Sequence, residues 1–215
     1  MFQERPPIPA VAIAEAAARP RRSRDRRVFF AGKRSFDVGM SVLFLPCLAV
    51  IALVLLVLNP VLNRGPLFYT QVRMGRDCQP FTAIKFRTML PAEGATRGAD
   101  DPLEQDRITP LGRFLRKSRV DELPQVINVV RGEMSLVGPR PLWTEEAKQC
   151  RGWTQKRLDI TPGITGLWQV TGRSDIPFDE MVKLDYLYVT GWSLGWDLKL
   201  LLQTVPAVLG RRGAY

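Results

Sequence analysis

Residues 38–63, VGMSVLFLPCLAVIALVLLVLNPVLN, run for 26 positions without a charge. About 20 consecutive apolar residues suffice to cross the hydrocarbon core of a bilayer. Few soluble helices are apolar all round for so long, so the stretch reads as a membrane helix. Two features set it apart from a plain span. Pro46 lies inside it, where a missing N–H removes a backbone hydrogen bond and bends a helix. Basic residues also flank both ends: Lys33 and Arg34 before, Arg64, Arg73 and Arg76 after. Positive charge marks the cytoplasmic side. If both flanks obey that rule, the helix enters, bends near Pro46 and returns to the face it came from. Hydropathy alone favours the plainer reading, a single-pass anchor with a tolerated proline.

On the amino side, residues 1–34 hold nine basic and three acidic side chains, with six arginines packed between Arg19 and Arg27 after a Pro/Ala-rich stretch. This composition reads as a disordered basic leader over residues 1–32. It does not read as a secretory signal, because the apolar block is too long and no small-residue cleavage site follows it. On the carboxyl side, residues 64–215 carry 22 basic and 17 acidic residues and no second long apolar run. They read as one compact domain. The whole chain of 215 residues has a net charge of +10 and no histidine. The missing imidazole excludes Ser-His-Asp triads, Cys-His dyads and His-ligated zinc. Three scattered cysteines, Cys47, Cys78 and Cys150, give neither a disulfide framework nor a zinc cluster.

Within the domain, residues 66–72 and 80–88 read as two strands around a turn at Gly75-Arg76-Asp77, with a polar loop over 89–106. Helices are expected at 111–117, 122–130, 144–158, 178–189 and 194–209. Residues 134–142 read as a tight Gly/Pro turn and 161–172 as a glycine-punctuated loop and strand. In 111–142, Ser118 reads as an N-cap with Asp121 three residues on, close to a capping box, and Pro124 fits the first helical turn. Asp121 and Glu122 then sit at a helix amino end, which favours anions. Alone, the pair is ordinary helix capping. Its surroundings are not ordinary: Arg107, Arg113, Arg116, Lys117 and Arg119 precede it, Arg131 and Arg140 follow, and Lys85 and Arg87 lie on a strand able to reach it. Carboxylates among guanidiniums suit a phosphorylated substrate, with arginine forks on phosphate oxygens and a carboxylate able to hold magnesium. Surface ion pairs, or phosphate binding without catalysis as on nucleic acid, are the competing readings. Gly138-Pro139-Arg140-Pro141 fixes an arginine on a stiff backbone.

The segments KRSFDV, KFRTM, RITPLGRFLRKSRVDELPQ, RGEMSLVGPRPL, TPGITGLWQVTGRSD and TVPAVLGRRGAY resemble the bacterial sugar transferases, monotopic polyprenyl-phosphate phosphoglycosyl transferases that begin exopolysaccharide, O-antigen or glycan assembly. The resemblance spans 183 of the 215 residues, all but the leader, with several long motifs in order. It implies an α/β fold, mostly helical with a small sheet or hairpin: a re-entrant membrane helix at 33–63 and a compact cytoplasmic catalytic domain with interfacial helices at 64–215. It implies transfer of a sugar-1-phosphate from a UDP-sugar to polyprenyl (undecaprenyl) phosphate at the cytoplasmic face of the bacterial inner membrane. By the likeness, Asp121 is the nucleophile and a magnesium ligand. Glu122 is its dyad partner, ordering the metal or assisting proton movement. Arg116 and Arg140 match family arginines, Arg140 looking like a phosphate clamp. Lys85 and Arg87 match a Lys-x-Arg-Thr strand read as phosphate or headgroup contacts.

The family's helix is broken at a proline that Pro46 matches. Many members carry Ser-Pro there, where this chain has Leu45-Pro46, with Ser41 about one turn away. Residues 192–209, with Trp192 and Trp196, read either as a helix in the interface or as core packing; Trp153 and Trp168 read as packing. Expected partners are the donor, the lipid acceptor and the bilayer, without nucleic acid. Family members can self-associate, which leaves a homo-oligomer open. The alternative from another class is a membrane-anchored basic adaptor for nucleic acid or anionic lipid, which leaves the Asp121-Glu122 pair unexplained.

Overall fold

The structure is a computed structural model describing residues 23–90, 106–150, 152–172 and 176–209. Residues 1–22 of the leader, most of the polar loop and the last six residues lie outside the described residues. Helix α1, Ser23–Leu62, begins ten residues before the expected boundary and runs for 40 residues. At 1.5 Å per residue it is about 60 Å long, twice the thickness of a bilayer's hydrocarbon core. Its stretch from Phe30 to Leu62 is long and apolar enough to cross a membrane, with a mean hydropathy of 3.0 over an 18-residue window within it. Helical structure runs uninterrupted through Pro46 and Pro60. Pro46 therefore lies inside one continuous helix rather than between two. The Ser41 hydroxyl is buried without a partner, so it does not satisfy a backbone carbonyl freed by the proline.

One stripe of α1 is buried against the domain: Asp37, Ser41, Leu48, Leu55, Asn59 and Asn63, spaced by four or seven residues. That is the helical repeat of a single face. The rest, including Leu43, Val50, Leu53, Val57 and Val61, is exposed apolar surface.

Strands β1 (Phe68–Met74) and β2 (Pro80–Phe86) form the expected antiparallel hairpin, with Tyr69 opposite Lys85 and Arg73 opposite Phe81. Then follow α2 (Pro110–Ser118), a tight 3₁₀ turn (Val120–Glu122), α3 (Gln125–Arg131) and β3 (Ser135–Val137). Next come α4 (Thr144–Gln149), a 3₁₀ turn (Gly152–Leu158), β4 (Gly163–Thr165) and α5 (Leu167–Thr171). Helices α6 (Phe178–Gly191) and α7 (Leu194–Leu209) end the described fold. It is the mostly helical α/β arrangement with small sheets that was expected.

The expected turn at 134–142 contains β3, which pairs in parallel with β4, Ser135 with Gly163 and Val137 with Thr165. Three residues buried on both faces show no alternation to read. The helix expected over 144–158 is instead α4 followed by a 3₁₀ turn.

α1 is a spine for two cores. Near its amino end Phe36 and Met40 pack on the cluster of Phe81, Val129, Leu136, Tyr188 and Leu200. Further along, Leu48 and Leu55 join Phe86, Leu115 and Val126. Polar locks hold both ends. Asp37 accepts from Ser135 Oγ (2.8 Å) and the Leu136 amide (3.3 Å), and Arg34 donates to the Val129 and Val130 carbonyls. Lys33 pairs with Asp197 at 2.7 Å. At the far end Asn63 donates to the Arg87 carbonyl (2.8 Å) and accepts from Thr109 Oγ1.

Trp192 and Trp196 belong to the core: Trp192 donates to Asp197 (3.0 Å), and Trp196 packs on Tyr188. The opposite face of α7 exposes Leu194, Leu198, Leu202 and Val205. Phe114 on the basic helix α2 is 65% exposed.

Candidate active site

α2 ends at Ser118, whose hydroxyl donates back to the Phe114 and Leu115 carbonyls. Ser118 thus closes α2 and does not cap α3, correcting the N-cap reading. A Ser or Thr hydroxyl at the end of a helix has the i−4 carbonyl within reach. The chain reverses at Arg119, which takes a left-handed conformation, φ 59. That region is uncommon for a residue with a side chain and costs of order 1–3 kcal/mol. The reversal sets Asp121 and Glu122 in the 3₁₀ turn ahead of α3, and Pro124, not Ser118, stands at the N-cap of α3.

Asp121 is 8% exposed, and its Oδ1 is buried without a hydrogen-bond donor. Burial, with Glu122 beside it, pushes the carboxyl up to about 6 against the pull of Lys85, Arg119 and Arg116. Lys85 Nζ donates to Glu122 Oε1 at 2.6 Å. Arg116 Nε donates to Thr88 Oγ1 at 2.9 Å, so the threonine that follows the Lys-x-Arg strand orients it.

Beside the dyad opens a cleft of about 210 Å³ lined by Arg73, Lys85, Arg119, Glu122 and Arg140, with Gln125, Trp168 and Gln169 also in its wall. Drug-sized ligand pockets hold about 300–1,000 Å³, so part of a sugar nucleotide would extend outside it. Asp121 lies between two wall residues in sequence and is not itself in the wall.

Arg140 reaches the cleft because its turn is pinned to β4. Gly138 N–H donates to the Thr165 carbonyl (2.9 Å) and Gly163 N–H to the Pro139 carbonyl (2.8 Å). A Cβ on Gly163 would fall 2.1 Å from Gly138 N, so the two backbones meet where no side chain fits. The Arg140 guanidinium lies 5.0 Å over the Trp168 ring. Its carbonyl accepts from Arg157, which pairs with Asp185 in full burial. Burial pushes Asp185 up to about 6 despite that partner.

The structure therefore brings together Asp121, Glu122, Lys85, Arg116 and Arg140. Arg87, expected as a phosphate or headgroup contact, is placed elsewhere. Its buried guanidinium donates to the Pro66 and Asn63 carbonyls, holding the chain that leaves α1. It ties the membrane helix to the domain and is absent from the cleft wall. Trp168, read as packing, carries Arg140. Arg73, read as a flanking charge of the membrane helix, lies in the cleft wall.

Two carboxylates, one of them with an unpartnered oxygen, suit a magnesium ion that completes its shell with substrate phosphates and water, as that ion prefers. Among the described residues no three acidic or thiol groups converge to hold a metal without substrate.

A buried carboxylate beside a cleft lined with arginine and lysine, on a domain clasping a long apolar helix, is chemically suited to phosphorylated ligands near a membrane. Comparison with known proteins gives the family: the bacterial sugar transferase model matches residues 28–211, and the chain belongs to that family. It is 39% identical over 198 residues to the exopolysaccharide production protein ExoY of Sinorhizobium fredii, covering 85% of this chain and 88% of that protein. The UDP-galactose-lipid carrier transferase of Erwinia amylovora is 41% identical over 198 residues, 85% of this chain and 41% of that protein. The undecaprenyl-phosphate galactose phosphotransferase of Salmonella typhimurium is 39% identical over the same extent. The chain thus spans nearly all of ExoY and about two-fifths of the two longer relatives. Membership in an enzyme family displaces the adaptor reading.

Proposed function

We propose that this chain transfers a sugar-1-phosphate from a UDP-sugar to undecaprenyl phosphate, in two displacements at Asp121, as the first membrane step of polysaccharide assembly. The observation that carries the proposal is Asp121 Oδ1, an unsatisfied anionic oxygen held buried beside a cleft rich in cations. A buried polar atom without a partner is costly and persists where a reacting group will meet it.

In the first displacement the carboxylate, turned toward the cleft by bound donor, attacks the β-phosphorus. The bond from that phosphorus to the bridging oxygen breaks, and UMP leaves with the bonding electrons. An aspartyl phosphosugar remains. In the second, a phosphate oxygen of undecaprenyl phosphate attacks the same phosphorus, and the Asp121 oxygen leaves as carboxylate. Arg140, Arg116 and Arg119 offset charge on the phosphoryl oxygens. Lys85 holds Glu122 and draws down the Asp121 proton affinity. Asp121 and Glu122 would hold magnesium, which supplies charge neutralisation at the phosphates.

Two locks on α1 support a re-entrant topology. Residues 33–37 and 59–63 both bind the same domain, about 40 Å apart along a straight helix by rise per residue. A polar domain cannot hold both flanks from opposite sides of a bilayer. In this reading both flanks of the apolar stretch lie on the cytoplasmic side, and a bend at Pro46 on membrane insertion lets the apolar middle dip into one leaflet. The exposed apolar faces of α1 and α7 enter that leaflet. The test is a nucleotide-release assay with a panel of UDP-sugars and undecaprenyl phosphate. One sugar releasing UMP in step with lipid product supports the proposal. No UMP from any member of the panel overturns it.

A further inference from the structure

We infer that Arg73 binds phosphate: its guanidinium and that of Arg140 form a paired subsite for a phosphoryl group in the cleft. The inference deepens the sugar-phosphate transfer reading and rests on it. Arg73 lies on β1, is 8% exposed and lines the cleft together with Arg140.

Its fork is held, but not neutralised. Nε and Nη2 both donate to Gln71 Oε1, at 3.1 and 2.6 Å, and Nη1 has only a long contact, 3.5 Å, to the Pro141 carbonyl. The guanidinium carbon stacks 4.0 Å over the Trp143 ring. Among the described residues no carboxylate lies within 4.0 Å of Arg73, whereas Lys85 has Glu122 and Arg157 has Asp185.

A buried cation is expensive unless an anion faces it, and here the strongest neighbouring charge is a second cation, Arg140, while Glu146 and Glu122 act on Arg73 more weakly from beyond pairing distance. Arg140 is likewise stacked on a tryptophan, Trp168, and its one carboxylate contact among the described residues is a long one, 3.9 Å to Glu146. Burial and the Arg140 charge lower the Arg73 pKa to about 10. Arg87, also without a carboxylate, differs because it satisfies the backbone that leaves α1. A purely structural Arg73 would need neither a neutral orienting partner nor a place in the wall. Two guanidiniums fixed by rings and an amide, one of them with only a long carbonyl contact at Nη1, match the oxygens of a phosphoryl group.

That group comes from the nucleotide donor or from the lipid acceptor, and the test separates the two. Full-length protein in lipid nanodiscs is titrated calorimetrically with uridine, UMP and UDP, and then examined with undecaprenyl phosphate added to the nanodisc lipid. Arg73→Gln is expected to weaken a phosphate-bearing ligand about tenfold while leaving uridine unchanged. Arg73→Lys is expected to recover only part of the loss, since it keeps charge without the fork or the stack. Weakening confined to UMP and UDP assigns the subsite to the donor, confined to the lipid to the acceptor, and in both to a shared site. If Arg73→Gln does not fold, Trp143→Leu serves instead, by removing the stack under an intact arginine, with a smaller loss in the same ligands. Unchanged binding of UDP and of undecaprenyl phosphate by the variants overturns the inference alone. A wild-type protein that binds none of the phosphate ligands overturns the transfer reading and this inference with it.

Discussion

Asp121 should cost the protein stability that an uncharged substitute returns. The residue is 8% exposed and its carboxyl is pushed from 3.8 up to about 6 by burial and by Glu122. A carboxyl with a folded pKa above its unfolded value is protonated in both states below about pH 4. The native state prefers the acid between there and about pH 6, so stability falls as pH rises through that window and the full cost is present above it. At 1.36 kcal/mol per pH unit the rise is worth about 3 kcal/mol. Asp121→Asn removes the ionisation. It should be more stable than wild type at pH 8, by up to about 3 kcal/mol, and the gain should shrink towards pH 4.5. For a domain of this size each kcal/mol moves the melting temperature by about 2–4 °C. The assay is thermal unfolding of both proteins in the same nanodiscs from pH 4.5 to 8. The variant should be catalytically dead throughout. An Asp121→Asn protein no more stable than wild type at pH 8, or a gain that does not change with pH, refutes the claim that the carboxylate is held at an energetic cost for catalysis.

Lys85→Met removes a cation that holds Glu122 and lowers the Asp121 pKa. The pH at which activity reaches half its maximum should move up by about one unit, read from initial rates of UMP release. Asp197→Asn removes the charge facing Lys33 and weakens the acceptor of Tyr188 and Trp192. Breaking a buried pair costs about 3–5 kcal/mol, so the variant should melt well below wild type with α1 more open to protease near Lys33. Ser35, exposed on the first part of α1, changed to cysteine in a cysteine-free background should be labelled only from the cytoplasmic side. Labelling only from the periplasm would refute the two-ended clasp, and Pro46→Ala should shift the pattern toward it.

What could be read from the sequence followed from how local its cause was. The 26 uncharged residues announced α1, and the two strand-like runs on either side of the Gly75-Arg76-Asp77 turn announced the hairpin, because each signal lies within its own segment. The Asp121-Glu122 pair with Lys85, Arg116 and Arg140 was legible through motifs in order. The turn chemistry was not. Ser118 carries the signature of a cap, yet its hydroxyl finds the carbonyls behind it once Arg119 adopts φ 59, and nothing in an arginine announces a left-handed bend. Arg87 shares its strand with Lys85, and only the packing of the chain leaving α1 turns it away from the cleft. Arg73 sits 48 residues before Asp121 and joins the site through the sheet register and the turn at Pro141, contacts that no local pattern encodes. Strand β3 is three residues long and buried on both faces, too short and too uniform to show a period.

The central claim is that Asp121 carries the phosphosugar between the two substrates. The most direct measurement is the intact mass of the protein after incubation with a competent UDP-sugar in the absence of undecaprenyl phosphate. A species heavier by one sugar phosphate should appear, absent from Asp121→Asn and discharged when undecaprenyl phosphate is added. An unmodified wild-type mass under conditions where adding the acceptor gives full turnover would contradict it.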